Sequence, residues 1–454
     1  MNNDVFEKLS VPKAVMTMAL PTVLSMLVNI LYNMADTFFV GQTGDANQVA
    51  AVSLTTPVFM LLMAVGNIFG IGGSTAISRF LGQQRRDKAK SACAFCFYMA
   101  IGCGIVMSLV FILGIKQILH IIGASENTYK FAHDYLMYIG FGAAFNVVSF
   151  MFGNIVRAEG AAKVSMIGMM LGTVINIILD PVMILFMNMG VAGAAIATVI
   201  GNVCSVIFYL QYFLRGKSSL SISIKDFSVK DKIPSNVFKI GLPASLNNVL
   251  MSTANILLNI YLVKYGDNAV AAMGVAMKAN MLPVLICIGM SSGVQPLVAY
   301  AFGARNFKRM KAVMRFTGTC NVIFATTITA VYFVFTKQVI SIFINDSEVI
   351  AYGVQMLRAL MLSAPVLGIM FIFNFSFQAM GKALPSLILS IGRQGLFFLP
   401  ILVIGAAVAG LDGLIYAQPV ADLAAVVIAS VMFVIIMRGI NKEIASENGK
   451  KISA

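Results

Sequence analysis

Two aspartates lie in long apolar stretches of this sequence, where an ionisable side chain is costly. Asp36 ends a polar stripe whose members are spaced three or four residues apart and therefore share one face of a helix. Asp180 follows Asn176 by about one helical turn. A charge in hydrocarbon costs on the order of 3 kcal/mol on insertion scales, which makes each acid a functional candidate. The stripe consists of Thr22, Ser25, Asn29, Asn33 and Asp36.

The chemistry that these side chains suit is the binding of a proton or a small hard cation. If the segment carrying Asp180 crosses a membrane outward and the next segment returns, Asp180 and Thr198 lie at similar depths, roughly 10–12 Å below the outer boundary. Asp36 then lies somewhat shallower. Two carboxylates, an amide and a hydroxyl can hold a proton, because burial and a like-charged neighbour favour the neutral carboxyl, or they can coordinate Na⁺ through oxygen. The alternative is a static hydrogen-bond network that only joins the helices.

The elements that must position these residues are predicted to be membrane-spanning helices. Hydrophobic residues make up 59% of the 454-residue chain and charged residues 11%, against about 45–50% and 25% in soluble domains. Twelve apolar segments are each long enough to cross a hydrocarbon core of roughly 30 Å. The predicted fold class is an all-α, polytopic membrane protein. The predicted spans are 14–40, 52–78, 91–114, 132–157, 163–187, 190–214, 239–263, 270–299, 316–336, 350–377, 384–408 and 412–437.

The formal net charge of +14 follows this topology and does not indicate a nucleic-acid partner. With the N-terminus placed inside, 25 of the 32 Lys and Arg residues fall on the inner side and four on the outer side. This positive-inside bias predicts that both termini are cytoplasmic. We expect a multi-pass protein of a bacterial-type plasma (inner) membrane, with the lipid bilayer as its partner, no nucleic acid, and a monomeric state.

The chain contains two copies of one sequence pattern. The segment that begins at Ala19 returns from Gly241, so that Pro21 of the first copy falls on Pro243 of the second. Each copy has six predicted spans, so the repeat is parallel, an arrangement in which transporters place a substrate path between two halves. The predicted divisions are an N-terminal six-helix lobe at 1–214, a cytoplasmic linker at 215–238, a C-terminal six-helix lobe at 239–437 and a cytoplasmic tail at 438–454.

The second copy lacks the two acids of the first. Leu258 and Leu399 occupy the matching positions. The second half instead has Asp422 near the middle of its last predicted span, with Lys278 and Arg393 as candidate ion-pair partners. Pairing and substrate contact are equally open roles for Asp422. If the acids of the first half only joined helices, the sister half would need an equivalent, which its sequence does not show.

Three motifs resemble those of the multidrug and toxic compound extrusion (MATE) family. Pro21 and Asp36 form P-x14-D in the first span, followed by TFFVG, and RAEG begins at Arg157 after the fourth span. N-x3-D-P begins at Asn176, with A-x-A-T ending at Thr198 behind it. Each motif is weak alone, but together they are specific. The resemblance, with its twelve spans, two six-helix lobes and inner linker, extends over nearly the whole chain. The sequence has no acids in spans seven and ten, which the NorM-type branch uses, so it resembles the DinF-type branch more closely.

This resemblance implies two pseudo-symmetric six-helix bundles and the export of cationic or amphipathic organic compounds by antiport with H⁺ or Na⁺. It implies no enzymatic activity and no cofactor besides the coupling ion. It also implies that the helix at Pro21 bends during transport. The family's cation site, which would hold H⁺ or Na⁺, maps onto Asp36, Asn176, Asp180 and Thr198, with Asn154 as a further candidate. The expected substrate-contact and gating residues are Pro21, Asn29, Tyr32, Asn33, Gln418 and Asp422.

Three rival functions are less consistent with the sequence. A flippase for lipid-linked precursors or lipids, from a related superfamily, tends to have cationic cavity residues, whereas the deep acids here favour cations. A membrane-embedded enzyme such as a polyprenyl transferase needs an Asp-rich metal motif or an activated nucleophile. A channel needs a ring of matching ligands, which the two halves do not share.

The sequence does not choose between H⁺ and Na⁺, since carboxylates bind both.

Overall fold

The computed structural model describes residues 3–452, without the side chains of Asn3, Asn33, Ala46 and residues 446–452. All regular secondary structure in this range is helical, as expected where lipid offers the backbone no hydrogen-bond partners. The α-helices are α1 (Asn3–Glu7), α2 (Val11–Gly41), α3 (Ala46–Gly82), α4 (Arg86–Leu113), α5 (Ile115–Ile121), α6 (Glu126–Phe141), α7 (Ala143–Ala158), α8 (Ala162–Asp180), α9 (Gly190–Leu214), α10 (Ile233–Leu262), α11 (Asp267–Gly303), α12 (Phe307–Val334), α13 (Thr336–Ser341), α14 (Ser347–Ala379), α15 (Ala383–Ile391) and α16 (Phe398–Ile452).

The fold-class prediction is confirmed. Within the described range, ten helices are long and apolar enough to cross a membrane, and eleven if the bent pair α6 and α7 counts as one span. The longest candidate, Ala383–Ala445, covers 63 residues and contains both of the last two predicted spans. The chain turns inside it at Gly410, whose φ of 59° and ψ of −128° are not helical. An added Cβ on Gly413 would lie 1.9 Å from the Gly405 carbonyl oxygen, so the turn needs glycine there.

Two predicted spans are not the uniform helices that the sequence indicated. The predicted span 132–157 is broken into α6 and α7, which meet at Gly142 with a bend of 58°. The predicted span 163–187 is α8 followed by a π-helix, Pro181–Phe186. A second π-helix, Gly392–Phe397, joins α15 to α16. Pro181 has no backbone N–H to donate to Ile177, which explains why regular α-helix ends at Asp180.

The helices form two compact units. Unit 1 comprises Met1–Ser252, Ile288–Thr317 and Gln378–Gly381, and unit 2 comprises Thr253–Cys287, Gly318–Phe377 and Lys382–Ala454. Each has its own core of buried apolar side chains, with Phe152 and Tyr209 among the largest in unit 1 and Phe398 in unit 2. Unit 1 contains parts of both sequence copies. The lobe boundaries read from the repeat stay a prediction.

Inside unit 1, equivalent glycines of the two copies make reciprocal contacts. An added Cβ on Gly82 would lie 2.1 Å from the carbonyl oxygen of Tyr300, and one on Gly303 would lie 2.3 Å from that of Arg79. The two glycines occupy matching positions of the sequence repeat, and so do Arg79 and Tyr300. The ends of α3 and α11 therefore touch backbone to backbone about a pseudo-two-fold axis, as in an isologous interface.

The predicted linker at 215–238 lies within unit 1, where polar contacts hold it to the helices of the first half. Glu159, of the RAEG motif, accepts hydrogen bonds on Oε2 from the hydroxyl of Ser218 at 3.0 Å and from the backbone N–H of Ser219 at 2.8 Å. The hydroxyl of Tyr98 donates to the carbonyl of Ile222 at 3.0 Å. Burial raises the pKa of Glu159, and the hydrogen bonds from Ser219 oppose that rise.

Candidate cation site

The two acids of the first half lie on helices that pack together in unit 1. Asp36 is one and a half turns before the end of α2, and Asp180 is the last residue of α8. Asp180 is 0% exposed, and Asn176, one turn earlier on α8, is 2% exposed. Thr198 faces them from α9 and is also buried. Asp36 lies close enough to Asp180 for their charges to interact.

Glycines bring α8 and α9 close enough for this arrangement. An added Cβ on Gly172 would lie 2.7 Å from the carbonyl oxygen of Gly201, and one on Gly201 would lie 2.5 Å from that of Gly172. Small residues at such a crossing let membrane helices approach closely. Asn176 lies one turn beyond Gly172 on α8, and Thr198 precedes Gly201 on α9. The crossing therefore places the amide opposite the hydroxyl.

Thr198 joins three helices by hydrogen bonds. Its Oγ1 atom accepts a hydrogen bond from Nδ2 of Asn176 at 3.2 Å. The hydroxyl of Tyr32, on α2, lies 3.3 Å from the same oxygen and can share a proton with it in either direction. These bonds fix the orientation of the Asn176 amide, so that its Oδ1 oxygen is left for another partner.

Four buried oxygens of this cluster have no hydrogen-bond partner among the described residues. They are Oδ1 of Asp36, Oδ1 of Asn176, and Oδ1 and Oδ2 of Asp180. Buried polar atoms are nearly always satisfied in folded proteins, and a buried carboxylate that is not must bind something or lose its charge. No Lys or Arg of the described part of the chain forms an ion pair with either acid. An all-oxygen set of this kind suits a proton or a hard cation.

Tyr135 belongs to this neighbourhood, although we did not expect it from the sequence. It lies on α6, is 7% exposed, and interacts electrostatically with Asp36, Tyr32 and Asp180. A buried tyrosine hydroxyl normally finds a polar partner. A tyrosine inside the fourth predicted span could therefore have been recognised from the sequence as a candidate neighbour of the acids.

The other candidates of the first half contact different partners or are only partly described. Asn154 donates to the carbonyl of Phe150 at 2.9 Å and accepts from Arg157, so the structure places its amide with that arginine. The carbonyl of Pro21 accepts from the hydroxyl of Ser25 at 2.9 Å. Asn29 is partly buried in α2. The side chain of Asn33 lies outside the described residues.

The second half has a buried acid with a full set of partners. In unit 2, Oδ1 of Asp422 accepts from Nε of Arg393 at 2.8 Å and from Nε2 of Gln418 at 2.8 Å. Its Oδ2 accepts from the hydroxyl of Ser363 at 3.0 Å. Of the two partners considered from the sequence, Arg393 is therefore the one that the structure pairs with Asp422. Lys278 is exposed.

A family model described as MatE matches the chain twice, at residues 21–182 and 243–404. The two matches begin at Pro21 and Pro243, which are the corresponding prolines of the sequence repeat. The multidrug export protein MepA of Staphylococcus saprophyticus is 35% identical over 417 residues, which cover 92% of each chain. MepA of Staphylococcus aureus strain MSSA476 is 36% identical over 418 residues, again 92% of each chain. The chain belongs to the MATE family.

Solved MATE structures have the same fold. One described as MATE in the straight conformation has a TM-score of 0.92 and 25% identity, and the match covers 97% of this chain and 98% of that one. A multidrug resistance MATE transporter of the MOP superfamily in an outward-facing conformation has a TM-score of 0.91 and 26% identity, with 96% and 98% covered. Family membership makes the chain a membrane transporter and not an enzyme. The comparisons do not separate the DinF-type from the NorM-type branch.

Proposed function

We propose that this chain is a secondary active multidrug efflux transporter, which exports cationic or amphipathic organic compounds in exchange for H⁺ or Na⁺. The observation that carries the proposal is the pair Asp36 and Asp180, whose buried oxygens have neither a cationic side chain nor a full set of hydrogen bonds among the described residues. The name of the MepA relatives supports export of drugs. The acids support a positively charged coupling ion.

The exchange follows from the charge of the site. When Asp36 and Asp180 are both ionised, their repulsion and burial favour the uptake of one cation. H⁺ or Na⁺ removes that cost, and Asn176 and Thr198 supply neutral oxygens to a bound ion. Ion and drug must prefer opposite conformations, because a ligand shifts an equilibrium only by its difference in affinity for the two states. Alternating access then couples outward movement of the drug to inward movement of the ion.

The membrane location, the family branch, the number of ion sites and the oligomeric state belong to the same proposal. The charge distribution supports a bacterial-type plasma membrane location with both termini in the cytoplasm. The absence of acids in the seventh and tenth predicted spans supports the DinF-type branch and a single ion site, in the first half. We propose that a monomer is the transporting unit and that the coupling ion is its only non-drug ligand.

A gradient experiment tests the proposal. Liposomes that contain the purified protein are loaded with ethidium. Ethidium export is then recorded under a pH gradient without Na⁺, or under a Na⁺ gradient with a protonophore. We expect one of the two gradients to drive export and its ionophore to stop it. Ethidium movement that neither gradient accelerates would reject antiport. Movement of a labelled lipid instead of ethidium would favour a flippase.

A further inference from the structure

The first helix of the chain is a short amphipathic segment that packs on unit 1. In α1, Val5 and Phe6 are 6% and 3% exposed, whereas Asp4 forms an exposed i,i+4 ion pair at 2.8 Å with Lys8, the residue after α1. A helix of five residues is not stable by itself, because too few hydrogen bonds repay its nucleation. Its order therefore depends on what it packs against.

Tyr300, near the end of α11, is the main partner of this segment. The rings of Phe6 and Tyr300 are stacked, with centroids 4.5 Å apart and an interplanar angle of 16°. The hydroxyl of Tyr300 donates to Oε1 of Glu7 at 2.5 Å and accepts from Nε2 of Gln84 at 3.3 Å. One tyrosine of the second copy thus joins α1 to the residues that follow α3 in the first copy.

Arg309, in the first turn of α12, forms hydrogen bonds with two backbone carbonyls of the same segment. Its Nη2 atom donates to the carbonyl of Val5 at 3.2 Å and to the carbonyl of Leu9 at 2.8 Å. These carbonyls lie at and beyond the end of α1, where helical partners are missing. A charged donor therefore satisfies carbonyls at the end of α1 that lack a full set of helical partners.

The segment binds next to the reciprocal glycine contact of the two copies, through Tyr300. Tyr300, which holds α1, is also the residue whose carbonyl touches Gly82, and Gln84 follows Gly82 by two residues. Separation of Gly82 from Tyr300 moves Gln84 and Tyr300 apart and breaks the site to which Phe6 and Glu7 bind. The segment also leads directly into α2, which begins at Val11 and carries Asp36.

We propose that residues 4–9 act as a latch, which stabilises the closed contact between α3 and α11 and must detach before the two copies separate there. Since the latch is continuous with α2, movement of the helix that carries Asp36 pulls on it. The latch thereby links occupancy of the cation site to opening of the contact between the ends of α3 and α11. This inference uses the alternating-access part of the proposed function, but its test requires neither drug nor ion.

The test measures the distance between the two copies directly. Asp87 and Lys308 are exposed, occupy matching positions of the repeat in the first turns of α4 and α12, and flank the contact. In a background without the six native cysteines, spin labels at D87C and K308C report this distance by pulsed electron resonance in lipid nanodiscs. We expect Phe6→Ala to raise the ratio of the long-distance to the short-distance population about tenfold, since it removes the stacked aromatic pair. Tyr300→Phe, which keeps the stack, should have a smaller effect in the same direction.

Matched controls separate the latch from general destabilisation. Lys8→Ala changes an exposed side chain of the same segment and should leave the distance distribution unchanged. A chain lacking residues 2–9 should open like Phe6→Ala, and a synthetic peptide of residues 1–10 should restore the short distance. If Phe6→Ala is helical and monodisperse and yet has the wild-type distribution, the latch is wrong. If the protein does not export ethidium but Phe6→Ala still raises the long-distance population as expected, only the proposed function is rejected.

Discussion

Nε of Arg393 lies 2.8 Å from Oδ1 of Asp422 and holds the one buried carboxylate that the described residues of unit 2 contain. Ser363 and Gln418 complete the partners of that carboxylate. Asp180, in unit 1, is equally buried and has no partner on either oxygen within the described residues. The duplicated scaffold therefore carries a neutralised acid in one copy and acids that are free to bind a cation in the other.

The different surroundings of Asp422 and Asp180 predict different effects on stability when the charge balance at each is changed. Arg393→Gln leaves a buried carboxylate without its cation and should lower the free energy of unfolding by about 3–5 kcal/mol. The double variant Arg393→Met with Asp422→Leu should recover much of that loss. Asp180→Asn removes an unpaired buried charge and should not destabilise the protein. Chemical unfolding in detergent, followed by circular dichroism, measures all of these. Equal losses for Arg393→Gln and Asp180→Asn would contradict the contrast between the acids.

The reciprocal glycine contact predicts equal effects at matching positions of the two copies. Gly82→Ala and Gly303→Ala each place a methyl group against a backbone oxygen, at 2.1 Å and 2.3 Å. Each should cost about 1–3 kcal/mol of stability. Gly102→Ala and Gly274→Ala are matched controls in helices, because nothing lies within 4 Å of an added Cβ there. These controls should be neutral or slightly stabilising, since alanine favours helix. A thermal unfolding series in which all four variants behave alike would contradict the contact.

The hydroxyl of Thr198 is predicted to orient the site. Thr198→Val keeps the shape of the side chain but deprives Asn176 and Tyr32 of their shared partner, at a cost of about 1–3 kcal/mol. Thr198→Ser keeps the oxygen and is the control. If Thr198 also binds the ion, its valine variant should bind the coupling ion about tenfold more weakly, whereas the serine variant should bind nearly normally. Equilibrium binding of the ion by the purified variants checks this, and equal affinities would remove Thr198 from the site.

Glu159 predicts a pH dependence of stability. Burial raises its folded-state pKa above the ordinary value of 4.5, so the folded protein binds a proton more readily than the unfolded chain. Stability from this group is then full below about pH 4.5 and falls as the pH rises through the raised folded-state value. Glu159→Gln should flatten that part of the profile of unfolding temperature against pH in detergent. A variant profile parallel to that of the wild type would show that Glu159 contributes nothing to it.

The sequence was sufficient for the fold class and for the neighbourhood of the acids. Long apolar segments define helices in lipid because no other structure satisfies the backbone there. The rise per residue placed Asp180 and Thr198 at one depth, and the structure brings Asn176 and Thr198 into hydrogen-bond contact. Their role in binding an ion stays a prediction.

The parts that the sequence did not supply depend on contacts between distant segments. The rotation of α6 about its axis decides that Tyr135 lies within electrostatic range of Asp36, and periodicity alone does not fix that rotation. The choice of Arg393 over Lys278 depends on how the π-helix Gly392–Phe397, which carries Arg393, packs against α16. Asn154 was transferred from the family motif, whereas its amide is held by Arg157, about one helical turn further along the same helix.

The central claim is that Asp36 and Asp180 bind the coupling ion, and ion-driven ethidium export by variants in liposomes tests it most directly. Asp36→Asn and Asp180→Asn should each abolish gradient-driven export, while Asp134→Asn, at a partly exposed acid in the same half, should export like the wild type. Wild-type export by correctly folded Asp36→Asn or Asp180→Asn protein, under the same gradient, would contradict the claim.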